Sequence, residues 1–206
     1  MFGIIHYEMF LAASIILNMT PGSDTIYVLS RSIAQGRRTG IYSVLGTSAG
    51  CVVHTVLAAL GLSVILAQSA VVFMMVKIAG AVYLGYLGLT MLLAKDTLAT
   101  APSQAAMSPK DTFWQGLIID VLNPKVALFF LSFLPQFIDP QNSYGIIPFL
   151  ILGLTFIVTG ALWLLFVVYF SAKVTTLLRE KTNVMNKVCG SIYILLGAKL
   201  LAAEKS

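Results

Sequence analysis

The sequence predicts an all-α membrane protein of six transmembrane helices, arranged as two inverted three-helix repeats in which helices one and four are broken. Three observations lead there. The 206 residues are 58% hydrophobic and only 10% charged, with mean hydropathy +0.91, whereas a soluble domain carries roughly 25% charged residues. Six apolar windows, at 7–29, 41–67, 70–94, 113–134, 145–170 and 186–203, have about the 20-residue length that crosses a hydrocarbon core. Two of them carry the same kind of polar, helix-ending cluster near the middle: Asn18-Met19-Thr20-Pro21-Gly22-Ser23-Asp24 in the first and Asp120-Val121-Leu122-Asn123-Pro124-Lys125 in the fourth.

The first window is preceded by Met1–Phe10, which has no Lys or Arg, and its apolar run holds a proline break where a signal peptide would have a small-residue cleavage site. It is therefore expected not to be a signal peptide. Proline inside a helix removes a hydrogen bond, and freed backbone groups survive in a bilayer only where they line a cavity or pack in protein. Thr20 is expected to cap a new half-helix with Pro21 in its first position, where the missing N–H costs nothing.

In the second window Gly46, Gly50, His54 and Ala58 share one stripe, and small residues at this spacing let helix backbones approach closely. The stripe reads first as a packing face, within one chain or between chains, and His54 as a hydrogen-bonded packing residue or a proton relay. Cys51 and Cys189 lie in different windows with no Cys-x-x-Cys partner, so no disulfide or dithiol centre is expected. Lys77 stands near the outer end of window three and is expected to snorkel to the interface. The Ala-, Ser-, Thr- and Pro-rich stretch 95–111 reads as a linker between residues 1–94 and 112–206. In window four Asn123-Pro124 is expected to restart a half-helix as Thr20-Pro21 does.

The last two windows complete a repeat. Lys77-Ile78-Ala79-Gly80-Ala81-Val82-Tyr83 aligns with Lys187-Val188-Cys189-Gly190-Ser191-Ile192-Tyr193, and Pro21 aligns with Pro124 at a similar offset. Because three helices are an odd number, a second copy folded alike enters the membrane from the opposite side, the inverted repeat of secondary transporters. Interrupted hydrophobic segments at corresponding places in two halves point to a substrate site at mid-depth.

The net charge of +5 is a statement about topology. Arg31, Arg37 and Arg38 fall between spans one and two, Lys95 and Lys110 between three and four, and Lys173, Arg179, Lys181 and Lys187 between five and six. The alternate connections have no Lys or Arg. The positive-inside rule then puts the basic connections in the cytoplasm and both termini on the outer, periplasmic side. Attraction to lipid headgroups accounts for the basicity, and no nucleic-acid partner is expected.

Each restarted half-helix offers free N–H groups and a positive dipole end to a carboxylate. Lys125 sits where that dipole disfavours a cation, and burying it costs about 2.5–3.5 kcal/mol on insertion scales, so a ligand or a carboxylate should compensate. Asp24 and Asp120 are the acids away from the ends of the expected spans. One reading has Lys125 and the helix donors hold a substrate carboxylate while an Asp holds an ammonium group, which suits a zwitterion. The other has Asp24 stabilising its half-helix dipole and Asp120 pairing with Lys125, without ligand contact. The candidate substrate-binding residues are Asn18, Thr20, Pro21, Gly22, Asp24, Asp120, Asn123, Pro124 and Lys125, and the candidates for proton coupling are Asp24, Asp120 and His54.

These residues in this order resemble the LysE/RhtB family of amino-acid exporters, with the homoserine and threonine efflux branch most similar. The likeness is carried by Thr20-Pro21-Gly22-Ser23-Asp24, Arg31-Ser32, Gly36-Arg37-Arg38-Thr39-Gly40, Gly46, Gly50, His54 and Gly61-Leu62. It continues through Gly80-Ala81-Val82-Tyr83-Leu84, Leu87-Gly88, Asn123-Pro124-Lys125, Phe129-Phe130 and Leu134-Pro135-Gln136-Phe137. The resemblance implies export of neutral amino acids or close derivatives across the bacterial inner membrane, driven by proton antiport, with no cofactor and no enzymatic activity. Ser23 departs from the family's second proline, and Asp120 stands where Asn is commoner. A metal-cation exporter of related fold would want several carboxylate, His or Cys ligands at mid-depth, where Lys125 stands instead. A membrane thiol-disulfide carrier would want paired cysteines, which are lacking. A homo-oligomer is compatible with the glycine stripe.

Overall fold

A computed structural model describes residues 2–62, 70–93, 106–139 and 141–202. Among these the chain is helical, with one isolated antiparallel bridge, Ile4 to Ile138, in place of any strand. The helices are α1 (Tyr7–Met19), α2 (Ser23–Gln35), α3 (Arg37–Leu57), α4 (Ala70–Leu93), α5 (Pro109–Val121), α6 (Pro124–Leu128), α7 (Ile147–Tyr169) and α8 (Ser171–Ala202). Wider π turns continue α3 through Ala58–Leu62 and α6 through Phe129–Phe133, and a 3₁₀ turn follows at Leu134–Phe137. Two helices, Arg37–Gly61 and Ile147–Tyr169, are long and apolar enough to cross a bilayer, and Pro109–Val121 with Pro124–Phe137 makes a third candidate bent by 48°. Tyr7–Met19 is a shorter apolar helix.

Both expected interruptions are present, built differently. At the second, Asn123 is the N-cap and its Oδ1 accepts from the Lys125 N–H at 3.0 Å, with Pro124 in the first turn. At the first, the expectation that Thr20 caps a new helix is corrected. Thr20 closes α1 instead, its Oγ1 donating back to the Ile16 carbonyl at 2.9 Å. Gly22 is the N-cap of α2, with no side-chain cap. A threonine hydroxyl serves equally as acceptor for the next turn or donor to the previous one, and the extended Pro21-Gly22 step places the restart two residues later.

Three more boundaries shift. The basic segment expected between spans five and six lies inside α8, which runs 32 residues from Ser171; the Leu, Arg, Glu and Lys of this stretch are good helix formers that hydropathy alone reads as loop. Arg37 and Arg38 open α3, and Pro109–Asp111 form the first turn of α5 rather than the end of a linker, with Ser108 Oγ accepting from the Asp111 N–H. The rest of the linker lies mostly outside the described residues, as do the side chains of Lys77 and Cys189.

Packing resolves the glycine stripe. α3 lies against both α5 and α7, and α4 against α8. A Cβ on Gly46 would run into the backbone carbonyl of Phe113, and one on Gly50 would stand 2.6 Å from Asp120 Cβ. These glycines therefore hold α3 on α5 inside one chain. Gly88 does the same for α4 on α8, where a Cβ would lie 2.6 Å from the Gly190 carbonyl oxygen.

Two apolar clusters result. One is rich in phenylalanine and gathers Phe10, Leu17, Phe129, Phe130, Phe133, Phe137, Phe149 and Phe156. The other is rich in valine and gathers Tyr27, Val28, Val44, Leu164, Val167 and Val168. Along the first broken span, the polar residues from Asn18 to Asp24 fall between them.

Candidate functional site

The polar layer centres on Lys125. As the second residue of α6 it sits at the positive end of that helix, and the chain's answer is to send the side chain across to α1. There Nζ donates to the carbonyls of Thr20 at 3.2 Å and Leu17 at 3.4 Å. These are last-turn carbonyls, the negative end of a half-helix, where a cation is favoured. Asp24, in the first turn of α2, completes the arrangement with Oδ1 3.6 Å from Nζ. Both residues are buried, Asp24 at 7% and Lys125 at 9% exposure. The two interruptions are thereby joined: one supplies the cation, the other its carboxylate and carbonyls.

Of the two acids, Asp24 is the one paired with Lys125. The pair is loose, longer than a hydrogen bond. Gly22 matters here because a Cβ on it would stand 2.8 Å from Lys125 Nζ and 2.7 Å from Asp24 Oδ1. A side chain there would push both charged ends aside.

Asp120 lies at the end of α5 and is 2% exposed. Its carboxylate neighbours the Cys51 thiol on α3, and its Oδ2 has no hydrogen-bond partner among the described residues. Its backbone carbonyl is 3.1 Å from His54 Nε2, and the His54 ring stacks on Phe130 at 5.8 Å between centroids. His54 thus packs on an aromatic ring and sets one ring nitrogen on the backbone of a candidate site residue. Asn123 spends its Oδ1 on the Lys125 N–H, while its buried Nδ2 has no partner among the described residues. Asn18 donates through Nδ2 to Thr159 Oγ1 at 3.0 Å and to the Phe156 carbonyl at 3.3 Å, and so pins α1 to α7. Pro21 and Gly22 form the extended step, and Pro124 opens α6.

Three residues belong with this group that motif reading passed over as site residues. Tyr83 on α4 and Tyr193 on α8 lie within electrostatic reach of Lys125. They are the matched tyrosines of the aligned Lys-x-x-Gly-x-x-Tyr segments, so the alignment itself held the signal. Cys51, beside Asp120, had none. Among the described residues no group of three His, Cys, Asp or Glu side chains is placed to hold a metal ion.

Chemically, the layer offers a cation, a carboxylate and, among the described residues, an unsatisfied carboxylate oxygen and an unsatisfied amide donor, all buried between two apolar cores. Leaving such groups unpaired costs about 1–3 kcal/mol each. A small molecule with an anionic and a cationic end would satisfy them.

The profile of one family, the LysE type translocators, matches residues 15–204. The chain belongs to that family. As a LysE type translocator it is a membrane transport protein and not an enzyme. A homoserine/homoserine lactone efflux protein of Salmonella typhimurium is 30% identical over 197 residues, covering 95% of each chain. A leucine efflux protein of Klebsiella pneumoniae is 30% identical over 207 residues, covering 98% of each. An uncharacterized membrane protein of Bacillus subtilis, YrhP, is 33% identical over 190 residues, 87% of this chain and 90% of that one. No solved structure matches the chain.

Proposed function

We propose that this LysE type translocator exports neutral amino acids of the homoserine and threonine kind, or close derivatives, across the bacterial inner membrane by proton antiport. The observation that carries the reading is the buried Asp24–Lys125 pair, held between two helix interruptions and bordered by Asn123 Nδ2 and Asp120 Oδ2, which have no partner among the described residues. A zwitterion can insert into a loose pair and exchange both partners. Its carboxylate takes Lys125, Asn123 Nδ2 and the free N–H groups at the restarted helix, and its ammonium group takes Asp24. Buried charge-assisted hydrogen bonds of this kind are the strong ones. The efflux relatives support an amino-acid cargo.

Proton coupling follows from competition. A carboxylate that holds either the ammonium group or a proton releases cargo on the side where protons enter, and Asp24 and Asp120 are the groups for this. The architecture in this reading is six spans in two inverted repeats, with Lys125 near mid-depth and both termini periplasmic. The packing of α3 on α7 and of α4 on α8, with α1 on α7 and α5 on α3, is the set of contacts that exchanging the two halves would map onto itself. Counterflow in proteoliposomes against a panel of labelled amino acids tests the cargo: exchange of homoserine, threonine or leucine supports it, and exchange of none of the neutral amino acids sinks it.

A further inference from the structure

α2 is a 13-residue helix with a glycine at each end, Gly22 before it and Gly36 after it. Before it stands the extended Pro21-Gly22 step. After it stands Gly36, at φ +83°, where a Cβ would meet nothing within 4 Å. A non-glycine residue rarely adopts that φ, so the turn into α3 is one only glycine makes without strain. At one end the helix carries Asp24, half of the buried ion pair. At the other, side-chain hydrogen bonds tie it to α5 and to Met107 just before α5.

The fastening is specific. Arg31, 3% exposed, donates to Gln115 Oε1 on α5 at 2.9 Å and to Gln35 Oε1 on its own helix at 3.1 Å, and it also contacts the Met107 sulfur. Gln35 Nε2 donates to the Met107 carbonyl at 3.0 Å, and Tyr27 Oη to the Thr112 carbonyl at 2.6 Å. Amide and carbonyl acceptors are ones that water can replace with little net change. The opposite end of the two broken spans is closed differently. There backbone bonds join Ile5 N–H to Phe137 O and Asp139 N–H to Gly3 O, both at 2.9 Å, over buried rings of Phe10, Phe129, Phe133 and Phe137. Opening that end means exposing an aromatic core; opening the Arg31 end trades polar contacts for water and parts Tyr27, Val28 and Leu29 from the smaller valine-rich cluster.

We infer that α2 is the gate on the side of the membrane that bears Arg37 and Arg38, swinging on Pro21-Gly22 and Gly36, with Arg31, Gln35 and Tyr27 as the latch that fastens it to α5. Because Asp24 rides on the same helix, unlatching draws this carboxylate away from Lys125 and opens the polar layer to that side. The inference rests on the transport reading above, but its first test needs no substrate and so fails or succeeds independently of the cargo.

That test uses Cys51, which lies beside Asp120, as a reporter in full-length protein with Cys189→Ser. Its modification by a small, membrane-impermeant methanethiosulfonate is timed in inside-out and right-side-out vesicles. Arg31→Gln with Gln115→Ala, and separately the milder Gln35→Ala, should raise the rate several-fold from the Arg37–Arg38 face and leave it unchanged from the other. No rise from either face, or a rise from the opposite face alone, would overturn the assignment. A second arm links Arg31→Cys to Gln115→Cys with a short bifunctional methanethiosulfonate in a chain otherwise free of cysteine. Transport should stop and return on reduction; linked protein that transports at the unlinked rate would also overturn it.

Discussion

Lys125→Met keeps most of the side chain's length and removes its charge, leaving Asp24 buried 3.6 Å from where its partner stood. The carbonyls of Leu17 and Thr20 lose their donor in the same step. Breaking a buried pair from one side costs about 3–5 kcal/mol, because the surviving charge stays out of water. For a chain of this size 1 kcal/mol corresponds to roughly 2–4 °C in Tm. The variant should therefore unfold on the order of 6–20 °C below the parent. Asp24→Asn with Lys125→Met removes both charges and should recover a large part of that loss. The assay is thermal unfolding of parent, both single variants and the double variant in one detergent, followed by intrinsic fluorescence. A single variant within a degree of the parent, or a double variant lowered by the sum of the two singles, would show that the residues do not act as a pair and would refute the reasoning.

Cysteine accessibility scanning in intact cells should find a thiol introduced after Ser206 open to an impermeant reagent and one at Arg37 closed to it; the reverse pattern would invert the topology. Asp24→Asn and Asp120→Asn should each insert in the membrane yet lose most proton-driven export, and unchanged export with unchanged pH dependence in both would move the coupling elsewhere, with His54 next to be examined. Gly46→Leu should separate α3 from α5, destabilising by about 1–3 kcal/mol as other overpacked interfaces do, and a variant as stable as the parent would mean that the two helices do not meet there.

The helix interruptions were legible because proline and its polar neighbours have few uses inside an apolar span. The second was legible to the residue, since Asn123-Pro124 allows one cap geometry. The first was not: Thr20 has a hydroxyl that works in either direction, and only the packed chain shows it turned back to Ile16. The start of α8 was hidden for another reason. Hydropathy finds the part of a helix that lipid surrounds, and its basic first turns reach past that region while still following helix propensity. Lys125 stood out as a cation at an unfavourable helix end, but the solution to that misfit lies at a helix end far along the chain, Leu17 and Thr20, which no local pattern encodes. Tyr83 and Tyr193 were visible as matched positions of two aligned segments without any hint that both lie within electrostatic reach of the same lysine. Cys51 beside Asp120 depends on how α3 packs on α5, and the glycine stripe named the face without naming the partner.

The central claim is that the layer between the broken helices reads both ends of a zwitterion. Counterflow in proteoliposomes should be measured with a transported amino acid, its carboxamide, which lacks the anionic end, and its N-acetyl derivative, which lacks the cationic end. The account predicts exchange of the amino acid and loss of exchange for both derivatives, with Lys125→Met losing the amino acid as well. Exchange of both derivatives at the rate of the parent amino acid would contradict it.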